Sequence, residues 1–152
     1  MTGGFGGSIL GHHLSFEPRV DAGLRLNDVH GAHAAIDVSD GLEIDLVRLA
    51  EASGVGVTLE LNAIPIRDAA RLLAQRDGAS ALDHALHDGE DYELIVALPE
   101  HAVADAVRDP ELGTSLTPIG RFTEERSLLG LDGCIARPLD ARGFEHEFGS
   151  TT

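Results

Sequence analysis

The chain has 152 residues, which is enough for one domain with a core of its own, and 43% of them are hydrophobic, so intrinsic disorder is not indicated. Its 26 Asp and Glu residues against 11 Lys and Arg give a formal net charge of −15, which argues against binding to nucleic acid or to an anionic membrane. The single cysteine, Cys134, has no intramolecular partner, and no apolar stretch has the length of a transmembrane helix. We therefore expect a single-domain cytoplasmic protein.

The chain opens with a glycine-rich stretch at residues 2–8 that lacks the spacing and the lysine of a phosphate-binding P-loop. We expect residues 1–12 to form a flexible lead-in. Pro18 suits the first position of a helix, and that helix leads toward a strand at residues 32–36.

At the end of this strand an apolar run stops abruptly in two acids and a hydroxyl, and a helical pattern begins at once. Asp40 followed by Glu43 resembles a capping box, and Gly54 predicts the end of the helix. Asp37, Ser39 and Asp40 are thus expected where a strand meets a helix N-terminus. Free backbone N–H groups there favour phosphate, and two carboxylates favour Mg²⁺. The alternative is that Asp40 is only an N-cap and Ser39 only a turn residue.

Hydrophobic periodicity and turn residues predict the remaining elements. In chain order these are a strand at 55–62, a helix from Pro65, a short helix at 80–86, a buried strand at 94–98, a helix from Pro99, a strand at 116–122, and a hairpin at 128–136 that turns at Asp132-Gly133. Strands that alternate with helices and then form a hairpin predict an α+β fold, a three-layer α/β arrangement with a mixed β-sheet flanked by helices.

A second acidic cluster, formed by Asp88, Glu90, Asp91 and Glu93 around Tyr92, precedes the predicted buried strand. Four acids in six residues repel one another unless a positive charge lies among them, and either Mg²⁺ or a cationic ligand ring would supply it. The alternative is a turn whose acids point into water.

Two further features have weaker chemical interpretations. His84 and His87 are three residues apart and could share a helix face, but no zinc motif accompanies them. Phe144, after Gly143, either stacks on a ligand ring or fastens the carboxy terminus to the domain.

Several motifs then combine into a resemblance. They are HLSFEPRV at 13–20, IDVSDGL at 36–42, SGVGV at 53–57, GEDYEL at 89–94, IGRF at 119–122 and GFEH at 143–146. In order and spacing they resemble the carboxy-terminal domain of the thiamine-monophosphate kinase family, within the AIR synthase-related superfamily. The resemblance implies an ATP- and Mg²⁺-dependent transfer of a phosphoryl group to thiamine monophosphate, which gives thiamine diphosphate.

The resemblance also implies roles for individual residues. By matched position, Asp37 and Asp40 would hold Mg²⁺, Ser39 would contact the ATP phosphates, and Glu90 and Phe144 would contact the thiamine moiety. We expect Asp37 and Asp40 to project toward one point, and Glu90 and Phe144 to line one pocket. One departure is Asp88, which precedes Gly89 where the family usually has a second glycine.

The family's amino-terminal domain, which is expected to supply most Mg²⁺-binding aspartates, much of the ATP site and the dimer interface, has no counterpart in these 152 residues. We therefore expect the partners to be that domain or a separate subunit, in a homodimer, and we expect the chain alone not to phosphorylate thiamine monophosphate. The alternatives are a stand-alone binding or regulatory domain without catalysis, and another reaction of the same superfamily.

Overall fold

The computed structural model describes residues 1–139, and this part of the chain contains five α-helices and six β-strands. The helices are α1 Val20–Asp28, α2 Leu42–Ser53, α3 Asp68–Asp77, α4 Ala81–His87 and α5 Glu100–Arg108. The strands are β1 Ala34–Asp37, β2 Gly56–Glu60, β3 Leu94–Ala97, β4 Gly120–Thr123, β5 Leu128–Asp132 and β6 Ile135–Pro138. Short 3₁₀ turns occupy Ser8–Leu10, His12–Leu14, Leu61–Ala63 and Pro110–Leu112.

The strands form two sheets. Four of them form a mixed sheet in the order β4-β2-β5-β6, in which β2 and β5 run parallel and the other pairs antiparallel. This confirms the expected mixed sheet with helices. The strands β1 and β3 pair separately and antiparallel, with Asp37 opposite Leu94. The end of β1 therefore lies beside the start of β3, which brings the two acidic stretches of the sequence to the same edge.

Several element boundaries differ from the sequence prediction, most clearly those of three elements. The first strand is Ala34–Asp37 rather than 32–36, so Asp37 is its last residue. The helix expected from Pro65 begins at Asp68, because the preceding Ile66 forms a β-bridge with Phe5. The strand expected at 116–122 is reduced to Gly120–Thr123.

The predicted hairpin is confirmed, but its turn is shifted by one residue, because Asp132 pairs with Ile135 and so belongs to β5. The two turn residues are therefore Gly133, at φ 59°, and Cys134.

The main core packs α2 and α4 against the inner faces of both sheets. Its fully buried side chains include Val38, Leu42, Leu59 and Leu86, and a smaller cluster packs α1 against α5 through Leu26 and Ala106. The strand β3, expected to be buried throughout, has one buried side chain, Ile95, and three partly exposed ones. No helix in residues 1–139 is long and apolar enough to cross a membrane.

The glycine-rich opening is packed into the domain, which corrects the expectation of a flexible lead-in. Thr2 and Phe5 have no exposed surface, and the backbone N–H groups of Gly6 and Gly7 donate to the carboxylates of Asp91 and Asp88. A Cβ atom on Gly6 would lie 2.7 Å from the backbone nitrogen of Ala85. Glycine is needed here because the backbone approaches α4 too closely for a side chain.

Candidate functional site

Backbone hydrogen bonds join the two acidic stretches directly. The N–H of Glu90 donates to the carbonyl of Ser39 and the N–H of Tyr92 donates to that of Val38, each at 2.8 Å. A Cβ atom on Gly89 would lie 2.6 Å from the Ser39 carbonyl oxygen, so only glycine fits at this crossing. Four of the five predicted site residues, namely Asp37, Ser39, Asp40 and Glu90, therefore lie on two adjoining loops.

The loop that carries Glu90 has an unusual backbone. Glu90 and Tyr92 have φ angles of 58° and 52°, and they are the non-glycine residues with positive φ in the described chain. Such conformations are costly for residues with a side chain and concentrate at functional sites. Their effect here is to separate the acids of the cluster, because Glu90 is exposed whereas Asp91 and Glu93 are buried.

The two buried acids are held by arginines. Glu93 accepts hydrogen bonds from Arg19 at 2.9 and 3.0 Å and from the hydroxyl of Thr2 at 2.7 Å. Asp91 accepts from Arg67 at 2.5 Å. Burial raises the pKa of Asp91 to about 6, whereas the pKa of Glu93, which burial alone would raise, stays below its usual value because of its Arg19 and Thr2 hydrogen bonds.

These contacts correct the prediction that Mg²⁺ or a cationic ligand neutralises the second acidic cluster. The positive charges come from arginines at sequence distances of 24 to 74 residues, and Asp91 and Glu93 fasten the amino-terminal segment to the domain. The prediction of a turn with solvated acids holds for Glu90, which has no side-chain partner in the described residues. Glu90 is therefore the member of the cluster that can meet a ligand.

The start of α2 is capped by a residue the sequence prediction did not assign. The Oδ2 atom of Asp45 accepts the backbone N–H groups of Ser39, Asp40 and Gly41 at 3.0, 2.9 and 3.3 Å. The predicted capping box of Asp40 and Glu43 is wrong, because Gly41 occupies the N-cap position and no side chain caps from there. The three loop amides that precede the helix are therefore occupied by Asp45, whereas the first-turn amides of α2, at residues 42–44, are not among them.

The exposed face of the same loop carries the groups that fit a hard cation. The side chain of Asp37 is exposed and has no hydrogen bond or ion pair within the described residues, and the Ser39 hydroxyl is also without a partner there. Asp40 is half-exposed and paired with Arg48. No group of three or more His, Cys, Asp or Glu side chains in residues 1–139 could hold a metal. Two carboxylates with waters or phosphate oxygens are nevertheless a common Mg²⁺ arrangement, so the donor set fits this ion in part.

Within residues 1–139, His84 and His87 do not form a metal site. His84 lies 3.0 Å from a carboxylate oxygen of Asp88 and 3.2 Å from one of Asp77, which ties the end of α3 to α4. His87 lies 3.5 Å from the carboxylate of Glu43, whose hydrogen bond raises the pKa of His87. The two rings thus pair with different acids, and each has a structural role.

Glu43 itself was assigned to capping from the sequence, but it is fully buried and bound by Arg137 at 3.0 and 3.3 Å. The distance of 94 positions between these partners gives no local signal. A further contact not anticipated from the sequence is a stacked pair of rings, Phe16 and Tyr92, with centroids 4.1 Å apart. Phe16 belongs to the HLSFEPRV motif at residues 13–20, and that motif is the signal that could have identified it.

Phe144 lies outside the described residues, so a pocket shared with Glu90 stays a prediction. A cavity of about 790 Å³ lies elsewhere, between the two sheets. Its walls are mainly apolar and include Val96, Val103 and Phe122, and none of the four predicted site residues within residues 1–139 lines it. The four predicted site residues within the described chain lie on the joined loops, so we assign the candidate site to the loops.

Comparison with known proteins agrees with this assignment. The family model described as AIR synthase related protein, C-terminal domain, matches residues 2–130. The thiamine-monophosphate kinase of Rhodopirellula baltica is 44% identical over 129 residues, which are 84% of this chain and 40% of that protein.

Two solved structures have the same fold. The thiamine-monophosphate kinase from Stenotrophomonas maltophilia K279a superposes with a TM-score of 0.70 at 32% identity, covering 85% of this chain and 48% of that one. AaThiL complexed with AMPPCP and TMP superposes with a TM-score of 0.63 at 25% identity, covering 85% and 45%. The chain spans less than half the length of these relatives. The predicted α+β fold and family resemblance are confirmed, and the chain belongs to the AIR synthase related proteins, of which residues 2–130 form the C-terminal domain.

Proposed function

We propose that this chain is the substrate-side part of an ATP- and Mg²⁺-dependent kinase that converts thiamine monophosphate to thiamine diphosphate. The observation that supports the proposal is the backbone junction between the loop of Ser39 and the loop of Glu90, formed by hydrogen bonds of 2.8 Å. The relatives named thiamine-monophosphate kinase, and the AaThiL complex with AMPPCP and TMP, support the same reaction.

The polar groups of the Ser39 loop have different proposed roles. Because Asp45 occupies the three backbone N–H groups, the Ser39 hydroxyl is the donor that remains on this loop for an ATP phosphate oxygen. Asp37 and Asp40 would hold Mg²⁺ through carboxylate oxygens. Bound Mg²⁺ would neutralise charge that develops on the transferred phosphoryl group, and the remaining task of the protein is positioning.

Glu90 is suited to the substrate's cationic ring. Its carboxylate is exposed and unpaired in the described residues, and its backbone, at φ 58°, donates a hydrogen bond to the carbonyl of Ser39. Asp88, the departure from the family pattern, has other partners for its carboxylate, which accepts from the Gly7 N–H at 2.7 Å and contacts His84. Phe144 would contribute an aromatic face to the same ring, as the family resemblance implies.

The described residues offer one wall of a phosphoryl-transfer site. The relative from R. baltica is more than twice as long as the matched region. Phosphoryl transfer requires in-line alignment, and errors near 1 Å can cost about a hundredfold in rate. We therefore propose that the remaining part of the kinase, in the same or another polypeptide, supplies the other wall, within a cytoplasmic homodimer.

Two measurements test this proposal. Isothermal titration with thiamine monophosphate, in the presence of Mg²⁺ and AMPPCP, should show binding that Glu90→Gln weakens by about tenfold, the loss of one charge-assisted contact. Glu124→Gln, which changes an exposed loop acid far from the junction, is the matched control and should leave binding unchanged. Equal effects of the two variants would contradict the assignment of Glu90.

A turnover assay tests the division of labour. The chain alone should not phosphorylate thiamine monophosphate, whereas mixing it with the amino-terminal portion of the R. baltica relative should restore activity that Asp37→Asn abolishes. Turnover by the chain alone at the rate of a full-length relative would refute the proposal. Substrate binding without any restored activity would favour the alternative of a binding or regulatory domain.

A further inference from the structure

Arg48 makes two contacts of different character at the candidate metal loop. Its Nη1 atom donates both to Oδ2 of Asp40 and to Oδ1 of Asp45, the latter at 2.8 Å. The Asp45 side chain is 2% exposed, whereas the side chains of Asp40 and Arg48 are each 48% exposed. The contact with Asp45 is therefore anchored in the domain, and the contact with Asp40 faces water.

The anchored contact is part of the loop's support. The other oxygen of Asp45 accepts the N–H groups of Ser39, Asp40 and Gly41, so Asp45 has no spare acceptor for a ligand. Arg48 on one side and the loop amides on the other fix this carboxylate. Asp45 does not need to change partners when a ligand binds.

The exposed contact between Arg48 and Asp40, by contrast, involves a carboxylate that is a proposed metal ligand. A divalent cation held by Asp37 and Asp40 competes with Arg48 for the Asp40 carboxylate even when it binds the other oxygen, because a guanidinium and a metal ion in contact with the same carboxylate repel each other. Ion pairs between half-exposed side chains are weak, so this exchange is easy. Asp37, which has no partner in the described residues, needs no such exchange.

We propose that Arg48 is a positioning residue that occupies Asp40 in the metal-free protein and competes with the divalent cation for it. When the cation binds, Arg48 releases Asp40 and keeps Asp45, so the loop stays in place while one carboxylate changes partners. This inference rests on the proposed metal role of Asp37 and Asp40. The inference adds Arg48 to the site, as a residue whose positive charge lowers the affinity for the metal ion.

Titration of the full chain with Mg²⁺ at constant ionic strength tests the inference, with the ¹⁵N–¹H signals of Ser39, Asp40 and Gly41 as the readout. Arg48→Gln should tighten Mg²⁺ binding by about three- to tenfold, the effect of removing one nearby positive charge. Arg48→Lys, which keeps the charge, should bind Mg²⁺ like the unchanged chain. In the unchanged chain the Arg48 Nε–H signal should also shift as Mg²⁺ is added.

A matched control is Arg108→Gln. Arg108 also pairs with an aspartate three positions before it, Asp105, at 3.8 Å on an exposed face of α5. This variant should bind Mg²⁺ with unchanged affinity, which separates the local effect of Arg48 from a general change in net charge.

The outcomes distinguish the two proposals. Mg²⁺ binding that Asp37→Asn abolishes, but that Arg48→Gln leaves unchanged or weakens, overturns the role of Arg48 and keeps the metal site. The absence of loop-specific Mg²⁺ shifts in the unchanged chain and in Arg48→Gln overturns the metal site itself, and with it the inference.

Discussion

The carboxylate of Asp45 gives the sharpest test of how the site loop is held. Asp45→Ala removes an acceptor of three backbone N–H groups, two of them at 3.0 Å or less. A hydrogen bond to a charged acceptor contributes about 1.5 to 3 kcal/mol, and water can partly replace it at the half-exposed Ser39 and Asp40. We therefore expect the free energy of unfolding to fall by about 3 kcal/mol, which lowers the Tm of a chain of this length by about 6 to 12 °C.

Urea denaturation followed by circular dichroism measures this loss, and amide hydrogen exchange locates it at Ser39 and Asp40. Asp105→Ala is the control, because Asp105 lies on α5 with a side chain 80% exposed, and it should change the stability by less than about 0.5 kcal/mol. Asp40→Ala should also cost less than Asp45→Ala. If Asp45→Ala matches the control, or if Asp40→Ala costs more, the loop is capped differently and the reasoning is refuted.

Three further predictions follow from the surrounding contacts. Gly89→Ala should destabilise the fold by about 1 to 3 kcal/mol, because its Cβ would meet backbone at 2.6 Å, whereas Gly23→Ala on α1, with its nearest atom at 3.4 Å, should be neutral or stabilising in the same urea assay. Glu43→Gln should lower the pKa of His87 toward its usual value in an NMR titration. In the unchanged chain, the stabilisation from the His87–Glu43 pair is full at low pH and is lost as the pH rises through the raised pKa of His87. Because the pKa of Asp91 is raised to about 6, its contribution to the free energy of unfolding should fall as the pH rises from about 4 to 6, and Asp91→Asn should remove that slope; an unchanged slope would contradict the assignment.

Local sequence patterns were sufficient to predict those elements whose conformation is set by neighbouring residues. The hydrophobic period of α2 and the stop at Gly54, which adopts a left-handed conformation at φ 68°, were both predicted from adjacent positions. The Asp132-Gly133 dipeptide likewise predicted the β5–β6 hairpin, although pairing shifts the turn by one residue. These signals are local because burial periodicity and turn conformation are set by residues a few positions apart.

The roles of the charged residues depended on contacts between distant parts of the chain. Asp45 and Asp40 are five positions apart and both acidic, yet Asp45 points back to the loop and Asp40 faces water, whereas the sequence offered Asp40 as the cap and assigned no role to Asp45.

The sequence by itself determined the family, the mixed α+β fold and the segments that carry the site. The tertiary structure decided which acids are free to act, since Asp91 and Glu93 are buried against arginines from other segments while Asp37 and Glu90 remain exposed and unpaired within residues 1–139. The physical reason is that a carboxylate's availability depends on its solvent exposure and on the cations packed beside it, and both are properties of the folded chain.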